Sequence, residues 1–288
     1  MRKINPPSHD AEATFNLCFD SIPGDKHDLI QRIGNISKQI LDAGNEYALK
    51  ADTEDFHQIK SVSCKNDQIA IGQVTKAELK GLYTEHMVPK RKPARNVYDE
   101  IKSLAINGIC PYCGVGFVNP LDHYLPKSKF PLISVLPINL VPSCQDCNKD
   151  KLSGIATEKR KLTLHPYFSD SKFYEKQWLY AEVIETRPAS IQFLVNPPSD
   201  WDEESKNRVK VHFNDFDLNS KYVKLCAEEL STLKDLLGIY LENTGVSEIK
   251  NYLNNQFLVQ YRKNKNSWQS AMYQALSNND WYCQGGFN

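Results

Sequence analysis

Two Cys-x-x-Cys pairs, Cys110/Cys113 and Cys144/Cys147, constrain this chain more than any other feature of it. Four thiolates in two short hooks are the usual protein ligand set for a tetrahedral structural zinc ion. One pair alone could serve redox chemistry or mean nothing. Two pairs that share an ion must meet in space, which fixes both ends of the intervening segment against each other. Gly114 and Gly116 stand beside the first hook and suit the turns that wrap it. The plainer alternative is four reduced structural cysteines. The other four, Cys18, Cys64, Cys226 and Cys283, lack paired spacing and read as buried or incidental thiols.

At 288 residues the chain can bury a real core, as one large domain or two smaller ones. No apolar leader follows the charged N-terminus and no apolar run has bilayer length, so the sequence predicts a cytoplasmic protein without disulfides. Net charge is zero, which speaks against nucleic acid, but the charges are unevenly placed. Residues 86–161 hold twelve Lys and Arg against six Asp and Glu. A basic segment around the hooks suits phosphate binding, although basic stretches are more often plain solvated faces.

Pro6, Pro7 and Pro23 and weak periodicity predict an extended arm over the first twenty-odd residues. Leu29, Ile33, Ile36, Ile40 and Leu41 share one helical face over 25–50. A poorly patterned polar stretch covers 51–73, and Thr75 then reads as the N-cap of a helix to about residue 86. The basic, proline-punctuated run 88–95 is either a solvated linker or an arm along a nucleic-acid backbone. A short helix is expected over 94–106. Residues 178–185 and 190–195, rich in aromatic and β-branched types, read as paired strands. Helices are expected over 201–214, 220–242, 247–263 and 266–277, with stripes that read as bundle core.

Between the hooks lie Asp122-His123, then Pro126-Lys127 and Lys129, then Asn139-Leu140 and Pro142, and Cys147 runs into Asn148 and Lys151. This ordered pattern resembles the zinc-containing HNH endonucleases of the ββα-metal type. It covers residues 110–151. The residue types suit phosphodiester hydrolysis, which needs an activated water, charge neutralisation on phosphate and a stabilised leaving oxygen. His123 is the natural general base, with a pKa near physiological pH. The resemblance makes Asp122 a ligand of a catalytic Mg²⁺ or Mn²⁺, for which carboxylate oxygen is suited. It makes Asn139 the asparagine that ties the loop together and holds the base. The last metal position falls on Asn148, where many members have His, an amide oxygen being an acceptable Mg²⁺ ligand. Lys151, and less strongly Lys127 and Lys129, are candidates to contact a nucleic-acid phosphate. His165 follows the motif, and packing or a turn is the better reading of it.

The expected fold is α+β and mostly helical. An N-terminal arm and helical region (1–92) precedes a zinc-pinned ββα-metal module (93–168), followed by a β-hairpin and C-terminal helical region (169–288). The expected cofactors are structural Zn²⁺ and catalytic Mg²⁺ or Mn²⁺, and the expected substrate is DNA before RNA. An HNH centre with a helical tail is similar to the PtuB-type nucleases of Septu and retron-associated anti-phage systems. That resemblance implies an ABC/SMC-like ATPase partner of the PtuA type, a possible retron reverse transcriptase–msDNA complex, and docking on the C-terminal helices. The chain has no Walker A loop, so ATP dependence would come from the partner. The competing readings are a restriction-type HNH nuclease, an RNA- or tRNA-cleaving effector, and a zinc-stabilised nucleic-acid-binding scaffold without catalysis.

Overall fold

The computed structural model describes residues 1–151, 156–243 and 245–288. Residues 152–155 of the predicted nuclease module therefore lie outside the described residues. Among the described residues about half are helical, and the sheets are three small antiparallel pairs. The chain forms two compact units, Lys3–Ser169 and Asp170–Asn288, the latter taking in Met1–Arg2. No helix among the described residues is long and apolar enough to cross a membrane.

The first unit opens with α1 (Ala11–Phe19), where an extended arm was expected. Asp10 caps it by accepting from the Ala13 N–H at 2.8 Å, and Thr14, Phe15 and Cys18 are buried. The prolines lie outside this helix, so they bound it rather than prevent it. The helical face expected over 25–50 is divided into α2 (His27–Gly34) and α3 (Ser37–Asp52). Gly34 and Asn35 end α2, residue types that carry little cost at a helix C-terminus.

The polar stretch holds a single 3₁₀ turn at Phe56–Gln58 and a short hairpin of β1 (Ile69–Ile71) and β2 (Val74–Thr75). It leads into α4 (Lys76–Thr84), whose start is a capping box. The Thr75 hydroxyl accepts from the Glu78 N–H, and the Glu78 carboxylate accepts from the Thr75 N–H at 2.8 Å. The same carboxylate receives both terminal nitrogens of Arg32 on α2, at 2.7 and 2.8 Å. In the basic run, Lys92 donates to the Ser21 carbonyl and Arg95 to that of Val88, so part of it is folded down. Helix α5 (Arg95–Ser103) follows.

Strands β3 (Leu121–His123) and β4 (Leu140–Pro142) pair in the register Leu121↔Pro142, Asp122↔Val141, His123↔Leu140, and both are buried throughout. Helix α6 (Gln145–Asp150) begins directly after them. Leu121 and Leu140 share one apolar cluster with Phe15, Ile33, Leu79 and Ile101. The helices before residue 92 and the cysteine-bracketed strands are thus built on one core.

In the second unit, α7 (Lys172–Glu175) precedes β5 (Leu179–Ile184) and β6 (Ser190–Val195), paired from Leu179↔Val195 to Ile184↔Ser190. Four helices follow: α8 (Glu203–Asp215), α9 (Leu218–Asn243), α10 (Val246–Lys263) and α11 (Trp268–Asn278). Each lies within a few residues of its expected span. Buried Asn266 joins the parts. Its Oδ1 accepts from the Trp178 and Leu179 N–H groups, and its Nδ2 donates to the Phe173 and Lys176 carbonyls.

Candidate functional site

The cysteine hooks meet because the backbone ladder continues beyond β3 and β4. The Asn119 N–H donates to the Ser143 carbonyl at 3.0 Å, and the Ser143 N–H to that of Pro120 at 3.1 Å. The first hook is a tight turn in which the Cys110 N–H donates to Gly116 and the Gly114 N–H to Cys110, both at 2.8 Å. The second is the first turn of α6, where Cys144 is the N-cap and its sulfur accepts from the Cys147 N–H at 3.4 Å.

All four cysteines are buried, with sulfurs within 4.8 Å of one another, and together they could hold a metal ion. A tetrahedral site with metal–sulfur bonds of about 2.3 Å has sulfur–sulfur edges of about 3.8 Å. The Cys113 and Cys144 sulfurs are 3.8 Å apart. The four thiols titrate as one group: hydrogen bonds from Cys110 and the other cysteines pull Cys113 and Cys144 below the ordinary thiol value, while burial pushes Cys110 up and hydrogen bonds from the other three push Cys147 up. Gly116 is fitted to this cradle, since a Cβ there would lie 2.7 Å from the Cys144 Cβ and 2.8 Å from its sulfur.

Asp122 and His123 are adjacent on β3, 6% and 5% exposed. The Asp122 Oδ2 accepts from the Tyr112 hydroxyl at 3.0 Å and from Lys151 Nζ at 2.7 Å. Lys151 also donates to the His123 carbonyl at 2.9 Å, so it bridges the end of α6 to β3. The His123 Nε2 lies 2.8 Å from the Ser134 carbonyl, which can only accept, so the proton is on Nε2 and Nδ1 carries the lone pair. Burial, and then the charge of Lys127, push the His123 pKa down to about 3 against the bond to Ser134. The imidazole is therefore neutral at pH 7, and its pKa lies below the near-physiological value expected from the sequence because the ring is buried.

Asn139 is fully buried and ties down the loop between β3 and β4. Its Oδ1 accepts from the Leu125 N–H at 2.8 Å, while Nδ2 donates to the Leu125 and Ile133 carbonyls at 3.2 and 3.3 Å. One residue after Ile133, Ser134 presents the carbonyl that holds His123. Asn148 is half-buried on α6, and its side chain forms no hydrogen bond among the described residues. Lys127 lies 4.9 Å from the Tyr83 ring, whose edge in turn meets His123 at 4.4 Å. The half-buried Lys129 makes no ion pair among the described residues, and its carbonyl accepts from Val62. His165 is packed away: its Nδ1 accepts from the Tyr167 N–H, Nε2 faces the Tyr47 hydroxyl, and Tyr124 lies 4.0 Å from the ring.

The chain is 33% identical to protein ea31 of Escherichia phage lambda over 235 residues, covering 75% of this chain and 77% of the phage protein. It belongs to the ea31 family. No protein-family profile matches the chain, and no solved structure matches it.

Three residues that shape this site were not singled out in the sequence. Tyr112 is fixed beside Asp122 by lying inside the first hook, a position the sequence does display. Ser134 acts through its carbonyl and Tyr83 through its ring, and neither residue type points to such a role. Only the packed chain brings them to His123.

Proposed function

We propose that this chain is an HNH endonuclease of the ββα-metal type, with zinc on the four cysteines, that hydrolyses phosphodiester bonds of DNA. The observation that carries the reading is the setting of His123. Its Nε2–H is held by the Ser134 carbonyl, its neighbour on the strand is a buried carboxylate, and the hairpin and short helix around it are pinned by four clustered sulfurs.

His123 Nδ1 takes the proton of a water whose oxygen attacks phosphorus, the bond from phosphorus to the leaving ester oxygen breaks, and that oxygen takes up a proton from solvent. The bond to Ser134 fixes the ring and its tautomer, and Asn139 fixes the loop that carries Ser134. The donor set suits a hard divalent ion, because Asp122 offers a carboxylate oxygen and Asn148, whose side chain forms no hydrogen bond among the described residues, offers an amide oxygen. Asp122 and Asn148 would hold Mg²⁺ or Mn²⁺, which when bound neutralises phosphate charge and stabilises the leaving oxygen. Lys151 and Lys127 supply positive charge beside the base. A defence role with an ATPase partner rests on the resemblance to PtuB-type nucleases and is an outer layer of this proposal.

The test is cleavage of plasmid DNA and of tRNA by the purified chain with Mg²⁺ or Mn²⁺, with and without an added ATPase of the PtuA type. His123→Ala should reduce cleavage by about 10²-fold or more, with zinc content and circular dichroism unchanged. No cleavage of either nucleic acid by the wild type would leave the non-catalytic scaffold as the better reading, and equal cleavage by the variant would overturn His123 as the base.

A further inference from the structure

We infer that Lys151 is a resident cation that keeps a divalent ion off Asp122 until a nucleic-acid phosphate draws it away. The inference rests on reading Asp122 as a metal ligand. Lys151 Nζ lies 2.7 Å from Asp122 Oδ2, and the two side chains are 9% and 8% exposed. A buried carboxylate with its counter-charge in place has little need of a second cation. An ion approaching Asp122 also meets the ammonium as a like charge, poorly screened where water is excluded.

The lysine is held where it is. Its backbone N–H donates to the Cys147 carbonyl at 3.2 Å, which ties its Cα to the second cysteine hook. Its ammonium also donates to the His123 carbonyl and lies 4.8 Å from the Tyr124 ring. α6 ends at Asp150, so the helix fixes the backbone of Lys151, and the ammonium is held by its contacts with Asp122, His123 and the tyrosine rings. A phosphodiester anion brought beside His123 offers Lys151 another counter-charge, and Asp122 is then free for the ion.

Metal and phosphate consequently bind with positive coupling, and each must tighten the other by the same factor. The centre stays metal-poor, and inert, without substrate. Lys151 thus acts twice, first as the competitor of the ion and then as a phosphate ligand.

The test is Mn²⁺ binding to the zinc-loaded full chain, followed by calorimetry and by the electron-spin signal of free Mn²⁺. Lys151→Met and Lys151→Gln should bind Mn²⁺ about tenfold or more tightly than the wild type, since an adjacent like charge is gone. Asp122→Asn should lose the site. A phosphorothioate oligonucleotide should tighten Mn²⁺ binding to the wild type and not to Lys151→Met. If Lys151→Met does not fold, Lys151→Gln keeps a donor for the His123 carbonyl, and the oligonucleotide effect needs no variant. Lysine variants that bind Mn²⁺ no better, with Asp122→Asn still losing the site, would overturn the competition and leave the nuclease reading standing. Equal Mn²⁺ binding by Asp122→Asn and wild type would overturn both.

Discussion

Asn139 shows how one side chain can set the geometry of another it never touches. Its three hydrogen bonds go to backbone groups of Leu125 and Ile133, and the carbonyl that orients His123 belongs to the next residue, Ser134. Asn139→Ala would leave buried backbone groups unpaired and should cost about 2–4 kcal/mol, read by denaturant unfolding. Its second consequence is specific: the His123 ring loses its fixed tautomer, visible as nitrogen chemical shifts that no longer report one Nε2–H form. A variant with lower stability but an unchanged imidazole would show that the loop holds Ser134 without Asn139. At this scale the sequence displayed the chemistry-bearing types, Asp122, His123 and Asn139, in order. It did not display that Lys151 would sit on Asp122, because an ion pair across the fold has no local pattern.

At the scale of elements, α4 is held by both of its neighbours. Glu78 closes the capping box and pairs with Arg32 of α2, and hydrogen bonds from that guanidinium hold its carboxyl down to about 2. The folded-state pKa lies below the unfolded value of 4.5, so the stabilisation is present above about pH 4.5. It is lost as pH falls from there towards 2. Glu78→Gln should lower stability at pH 7 by about 1–2 kcal/mol, discounted because the pair is partly exposed. It should also flatten the stability curve in that window. A parallel downward shift at every pH would mean the pair contributes no charge-dependent stability.

Thr75 and Glu78 three residues apart are a local signal, and the sequence displays it. The division of α2 from α3 is less visible, since Leu29, Ile33, Ile36 and Ile40 keep helical spacing across the break. α1 was hidden behind Pro6 and Pro7, although Asp10 stands in the capping position.

Across the whole molecule, the four cysteines lie in the unit Lys3–Ser169, and none is in Asp170–Asn288. A metal bound there adds its binding free energy to that unit's folding alone. Chelation should therefore raise amide exchange in β3, β4 and α6 and leave β6 and α11 as they were. Uniform loosening would mean that the two units do not unfold separately, and unchanged exchange in β3 and β4 would mean that the hooks hold no metal.

The sequence by itself determined the cysteine hooks, the Asp-His pair between them, the β5–β6 hairpin and the C-terminal helices. Each is written in short-range spacing, and spacing is all that ligand hooks, alternating strands and amphipathic helices require. Only the tertiary structure decided that the residues before 92 share a core with the hooks, and that Ser134 and Tyr83 frame the imidazole. It alone seated the Lys151 ammonium against Asp122. Those contacts join residues distant along the chain through packing and charge, whose partners are chosen by the folded shape and not by any repeat in the sequence.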